Sequence, residues 1–281
     1  MLPISVAVWH NTESIGLLCG CPASFRFARR QLETRLPVPM DRFFHPAGFV
    51  RPDLSLEESE SHHAARVLRK QAGDTIELFD GRGQSALAEI TLVKKDRVDV
   101  RIVQRGEIQK SPQPEIRLAV APPKGDRFRW LVEKATELGV DRLIPLLTER
   151  TVVEPGSGKL DKLQAAVVTA CKQSGRNLVM QVSENTPLAD CLCAVDASTT
   201  SRAILVGDPH GEMFQPDMLP VGAREVLLLI GPEGGWSEAE LEAATRAGAR
   251  RIRIADQILR TETAAIQLAG LCVWARSLAG M

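Results

Sequence analysis

Residues 225–241 read EVLLLIGPEGGWSEAEL. Residues 226–230 are apolar without interruption, the pattern of a strand covered on both faces rather than one with a wet side. The run stops at Gly231 and Pro232. Ser237 and, three positions on, Glu240 have the spacing of a capping box, so a helix opens there. A buried strand that passes through a glycine-rich turn into a helix is half of a parallel βαβ unit.

The same alternation recurs on either side. Upstream, residues 116–120 are an apolar strand, and Phe128, Leu131, Val132, Ala135 and Leu138 mark one face of a helix ended by Gly139. Residues 142–147 return to strand; Leu160, Leu163, Val167 and Cys171 mark a second helix ended by Gly175. Further strands are expected at 203–206 and 251–255, with helices at 237–247 and 262–278. Residues 112–281 therefore predict an α/β domain, a mainly parallel sheet with helices on both faces. Residues 111–114, SPQP, read as the linker that precedes it.

Before the linker the pattern changes. TIELFD at 75–80, the turn Gly81, Arg82, Gly83, and the alternation of Val98, Val100 and Ile102 with charged residues describe short half-buried strands. A small β-barrel or sandwich is expected over 40–111. Its one helical stretch, 58–70, gathers His62, His63, Arg66, Arg69 and Lys70. Residues 1–39 lack periodicity and read as a flexible extension.

The 281 residues are 44% hydrophobic and 25% charged, and Lys plus Arg balance Asp plus Glu at 35 each. This is a folded chain whose net charge advertises neither a nucleic acid nor a membrane, so any basic surface is local. No apolar run approaches a membrane span, and the start lacks the basic and apolar regions of a secretory signal, which predicts a cytoplasmic protein. The six cysteines lack zinc-site spacing, so no metal is expected.

In an open parallel sheet, ligands bind beyond the carboxyl ends of the strands. Two loops there carry chemistry. Gly231, Pro232, Glu233, Gly234, Gly235 lets backbone approach a ligand closely. It matches neither the dinucleotide fingerprint nor a P-loop, and a carboxylate at Glu233 disfavours phosphate while favouring a cofactor with positive charge. The second loop, QILRTETAA at 257–265, offers Thr261 or Thr263 as a helix cap, with Arg260 and Glu262 as opposite charges at the same strand end.

LIGPEGGWSEAEL followed by RIRIADQILRTETAAI resembles the C-terminal signature of the RsmE family, SPOUT-class methyltransferases that make 3-methyluridine in 16S rRNA. RFFHPAG at 42–48 and HHAARVLRKQAGD at 62–74 are similar to that family's PUA-like RNA-binding domain. Residues 124–153, KGDRFRWLVEKATELGVDRLIPLLTERTVV, and CKQSGR at 171–176 are similar to its catalytic-domain entry. The resemblance covers about residues 42–275 and leaves 1–39 without a counterpart. It implies a trefoil knot, a homodimer built around it, and a cofactor, S-adenosylmethionine, that is a sulfonium cation without phosphate. The implied cofactor contacts are Val206, Gly207, Ile230, Gly231, Pro232, Gly234, Gly235, Ile258, Leu259, Thr261, Thr263 and Ala264.

Arg260 is then the candidate for steadying negative charge on the uracil or a nearby phosphate, and Glu233 or Glu262 either accepts the proton or holds Arg260. Arg42, His62, Arg66, Arg69, Lys70 and Lys124 are the candidate RNA contacts, with 16S rRNA in a small-subunit particle as partner. A SPOUT-like enzyme for another RNA position, or a cofactor-free RNA-binding assembly factor, are the alternative readings.

Overall fold

The computed structural model describes residues 40–193 and 202–279. The extension expected at 1–39 lies outside the described residues. Strands β1 (Arg42–Phe44), β2 (Asp53–Ser55), β3 (Thr75–Phe79), β4 (Ser85–Lys94) and β5 (Arg97–Arg105) form a sheet in the order β1-β3-β4-β5-β2. β1 runs parallel to β3, and the other pairs are antiparallel. The alternation read from the sequence sends Ile76, Leu78, Ala88, Ile90, Val98 and Val100 to one core with Phe43 and Phe49. Helix α1 (Glu58–His62) continues as a wider turn over His63–Val67 and stops at Leu68, short of the expected residue 70. Arg69 takes φ +54°, which breaks the helix, and the Lys70 N–H turns back to the Ala64 carbonyl (3.0 Å).

The second part contains β6 (Glu115–Val120), α2 (Arg127–Leu138), β7 (Arg142–Leu147), α3 (Ser157–Ser174), β8 (Gln181–Val182), β9 (Thr186–Pro187) and α4 (Leu188–Cys193). It continues with β10 (Arg202–Met213), β11 (Glu225–Ile230), α5 (Glu238–Arg246), β12 (Arg250–Arg253) and α6 (Thr261–Ala279). The sheet order is β12-β10-β11-β6-β7-β8, and β9 pairs with β7. Every pairing is parallel, as the uninterrupted apolar runs require. The short β8, β9 and α4 carry no readable period. β10 extends past the expected residue 206 because, after a break at residues 208–211, it rejoins β12.

Period two sorts these strands onto two faces. Leu118, Val120, Leu205, Val226, Leu228 and Ile230 face α2, α3 and α6. Ala119, Ile204, Val206, Leu227 and Leu229 face α4 and α5. Buried thiols fill gaps on both sides; burial pushes Cys191 up to about 11 and Cys272 up to about 12, so neither is a ready nucleophile.

The two parts share side chains. Phe79, from β3, is fully buried in the cluster that covers β6 and α2. Arg42 is a structural tie, which removes it from the RNA-contact candidates. Its side chain is 7% exposed, bonded to Glu77 (2.9 Å), to the Cys171 carbonyl (2.8 Å) and to Asn177, with its guanidinium over the Phe79 ring at 4.7 Å. Lys172 reaches back to the buried Glu60 (2.5 Å). CKQSGR thus acts here as the joint between the two parts. Phe43 and Phe44, available for base stacking on sequence alone, are in the core: Phe43 is fully buried, and Phe44 packs on Phe79 at 5.3 Å between ring centres.

Arg42→Ala strips Glu77 of its partner and empties the face of Phe79. It should lower stability by about 3 kcal/mol, roughly 6–12 °C in Tm. A calorimetric scan with no shift in Tm would return Arg42 to the surface.

Candidate functional site

Gly207, Ile230 and Ile252 stand side by side at the end of three neighbouring strands, because Gly207 is in register with both of the others. A Cβ on Gly207 would come within 2.7 Å of Ile230 Cδ1, so this strand end tolerates only glycine without a shift. The segments that leave these ends form a cavity of about 360 Å³. Asp208 and Pro209 supply one side, residues 231–233 with Gly235 and Trp236 a second, and residues 253–255 and 257–261 with Ala264 a third.

The β11–α5 loop is held in shape by its own residues. Trp236 donates its indole N–H to the Gly207 carbonyl (2.9 Å), and a Cβ on Gly231 would lie 2.9 Å from that indole. Ser237 and Glu240 form the expected capping box on α5. Glu240 also accepts from the Glu149 N–H (2.8 Å), and Arg150 donates to the Gly234 carbonyl (2.7 Å), so the turn after β7 braces the loop from outside. Asp208 is buried and ion-paired with Arg251 at 2.5 Å.

Of the sequence candidates, the cavity wall contains Gly207, Ile230, Gly231, Pro232, Glu233, Gly235, Ile258, Leu259, Arg260, Thr261 and Ala264. Val206, Gly234, Glu262 and Thr263 are not on it. Val206 points into the core under α5, and Thr263 is exposed on α6. Gly234 faces Arg150, where a Cβ would meet ordinary contacts at 3.4 and 3.5 Å. Thr261 is buried and donates to the Gly231 carbonyl (3.3 Å), joining the two loops.

The charges are arranged differently from the sequence expectation. Neither Glu233 nor Glu262 holds Arg260. Both pair with Arg127, at 2.8 and 3.4 Å, and Arg260 is exposed with no ion-pair partner among the described residues. Arg127 was legible only as an anomaly: a cation in the first turn of a helix, with no acidic residue there, opposes the helix dipole. Asp208, Arg150 and Trp236 had no sequence signal beyond lying near strand ends.

The RNA candidates are spread over two surfaces. His62, Arg66 and Arg69 are exposed after α1, and Lys70 is ion-paired with Asp41 at 2.7 Å. Lys124 is exposed in the turn before α2, and its carbonyl accepts from Arg127. Among the described residues no group of His, Cys, Asp and Glu could hold a metal, and no helix is long and apolar enough to cross a membrane.

Comparison with known proteins places these features among relatives. Residues 109–273 match the model of an RNA methyltransferase domain, and residues 56–103 that of an RNA methyltransferase PUA domain. Ribosomal RNA small subunit methyltransferase E of Bacillus subtilis is 30% identical over 225 residues, covering 76% of this chain and 86% of the relative. Its Synechocystis counterpart is 30% identical, covering 78% and 72%. A Legionella pneumophila methyltransferase solved with bound S-adenosylmethionine superposes with a TM-score of 0.76 at 31% identity, covering 85% of this chain and 98% of that one. The Neisseria gonorrhoeae ribosomal RNA small subunit methyltransferase E, also bound to S-adenosylmethionine, gives 0.74 at 29% identity, covering 82% and 95%.

Gly231→Val forces the Trp236 indole off the Gly207 carbonyl. Its tryptophan emission should shift and its Tm fall, while Gly234→Ala leaves both as in the wild type. Equal behaviour of the two variants would contradict the packing described for this loop.

Proposed function

We infer that this chain, which belongs to the RNA methyltransferase family and within it to the ribosomal RNA small subunit methyltransferase E group, methylates N3 of a uridine in 16S rRNA, in the cytoplasm. The SPOUT-type α/β fold with its PUA-like N-terminal part and the dependence on S-adenosylmethionine come with that membership. The observation that carries the reading is the cavity at three strand ends with Arg260, which has no ion-pair partner among the described residues, on its wall.

The cavity fits the cofactor. Its volume lies in the range of small-molecule sites, its wall is largely apolar side chain and glycine backbone, and Glu233 suits a cation without phosphate. Gly207, Ile230, Gly231, Pro232, Gly235, Ile258, Leu259, Thr261 and Ala264 would hold it. When bound, S-adenosylmethionine supplies an electrophilic methyl group on a sulfonium centre.

The chain's own residues must align the uracil and manage one proton. Removal of the N3 proton spreads negative charge over the flanking carbonyl oxygens, and a free guanidinium offers a planar fork of donors to them. Arg260 takes that role because no carboxylate among the described residues pairs with it. Of the two carboxylates on the wall, Asp208 is buried in its ion pair with Arg251, so the half-exposed Glu233 is assigned the proton; Glu262 is buried behind the wall and is assigned support. His62, Arg66, Arg69 and Lys124 are assigned to RNA phosphates, in keeping with recognition of RNA by shape and clustered charge. The parts divide at residues 40–111 and 112–281.

The same reading includes the family's trefoil knot and a homodimer. Most of the apolar stripe on α6 serves this chain's own core, with Leu268, Cys272 and Ala275 buried. What faces out on α2 and α6 is Trp130, Trp274 and Leu278, exposed apolar groups suited to a second copy.

Arg260→Ala should lower kcat by roughly a hundredfold, the loss typical of one donor to developing negative charge, and leave cofactor affinity intact. Mass spectrometry of 16S rRNA from cells with and without the gene tests the substrate. Loss of 3-methyluridine in the deletion is expected. Loss of a different methylated nucleotide moves the activity to another RNA position, and failure of the purified protein to bind S-adenosylmethionine leaves an RNA-binding assembly factor.

A further inference from the structure

Arg127 opens α2, where the helix dipole disfavours a cation and no acidic residue in the first turn offsets it. The adjacent N-cap, Asp126, is acidic but makes no side-chain capping bond, and the Arg127 guanidinium is directed away from its own helix. The guanidinium divides its donors among three segments: Nε to the Lys124 carbonyl (3.2 Å), Nη2 to Glu233 Oε1 (2.8 Å) and Nη1 to Glu262 Oε1 (3.4 Å). The two carboxylates belong to the two loops that face each other across the cavity, and Arg127 is not on its wall.

Glu262 is 8% exposed, its Oε2 has no hydrogen-bond partner, and Arg127 is its one ion-pair partner among the described residues. A buried carboxylate without a cation is strongly disfavoured, so the start of α6 keeps this position only while Arg127 stands beside it. The same guanidinium holds the more exposed Glu233 of the β11–α5 loop. We propose that Arg127 is a positioning residue that ties the β11–α5 loop to the start of α6 and so sets the width of the cofactor cavity. The proposal rests on the reading that S-adenosylmethionine occupies this cavity. A lysine at 127 offers a point charge in place of a fork and cannot engage both carboxylates in the same geometry.

The test is calorimetric titration of S-adenosylmethionine into the full-length protein, with Tm measured in parallel, for Arg127→Ala, Arg127→Lys, the double variant Arg127→Ala with Glu262→Gln, and Ala264→Phe. Arg127→Ala should raise Kd roughly tenfold or more, the scale of lost charge-assisted bonds, with Arg127→Lys between it and the wild type. The double variant has no unpaired buried charge, so its Tm should recover while its Kd stays high, because the Glu233 loop remains untied. If Arg127→Ala does not fold, the double variant carries the test. Wild-type affinity in Arg127→Ala, or full recovery of Kd in the double variant, would overturn the proposal and reduce Arg127 to a neutraliser of Glu262. Ala264→Phe fills the cavity and should abolish binding. Wild-type affinity in that variant would instead show that the cofactor binds elsewhere, and would take the underlying reading down with the proposal.

Discussion

Strands buried on both faces have no free side chains along their length, so whatever chemistry they support must gather at their ends. In this protein the first run of β10 breaks off level with the ends of β11 and β12, with Gly207 in register with Ile230 and Ile252. The absence of a side chain at Gly207 lets Ile230 of the neighbouring strand pack against it, and its carbonyl accepts from the Trp236 indole. The glycine-rich turn, the QILRTET segment and the break in β10 then face one space. Moving any one strand by a residue would turn its alternate side chains to the opposite face and dismantle both cores together with the cavity.

A second constraint is electrostatic. Two carboxylates brought together beside one cavity, Glu233 and Glu262, repel each other unless a cation lies between them. Arg127 supplies it from a third segment, and Arg260 stands at the wall without an ion-pair partner among the described residues. In the proposed function negative charge develops on the base, and the pairing of both glutamates with Arg127 is what would leave Arg260 available to it. The N-terminal sheet is fixed to this arrangement by Arg42, Phe79 and the Lys172 to Glu60 pair, so RNA held on its exposed helix would be presented to the cavity at a set distance.

Much of this was legible in the chain. Residues 226–230 announced a buried parallel strand, Gly139 and Gly175 ended their helices in the left-handed conformation, and Ser237 with Glu240 capped α5. The cavity wall was also largely readable, since glycine and threonine at strand ends follow local rules. Pairing partners were not. Arg42 looked like a surface cation because its partners, Cys171 and Asn177, are more than a hundred positions away. The sequence offers Arg260 to both Glu262, two positions away in the same loop, and Glu233, in the loop after the preceding strand, whereas the cation they share comes from the start of α2. Gly234 was grouped with Gly231 because composition cannot tell which glycine of a turn faces the ligand. Short β8, β9 and α4 lie below the length at which a period can be recognised.

In the proposed function, the three segments leaving β10, β11 and β12 together enclose S-adenosylmethionine. Backbone hydrogen exchange of the full-length protein, with and without saturating cofactor, measures this directly. Slowed exchange confined to residues 207–209, 230–236 and 253–264 is the predicted result. Cofactor-dependent protection elsewhere, with these three segments unchanged, would contradict it.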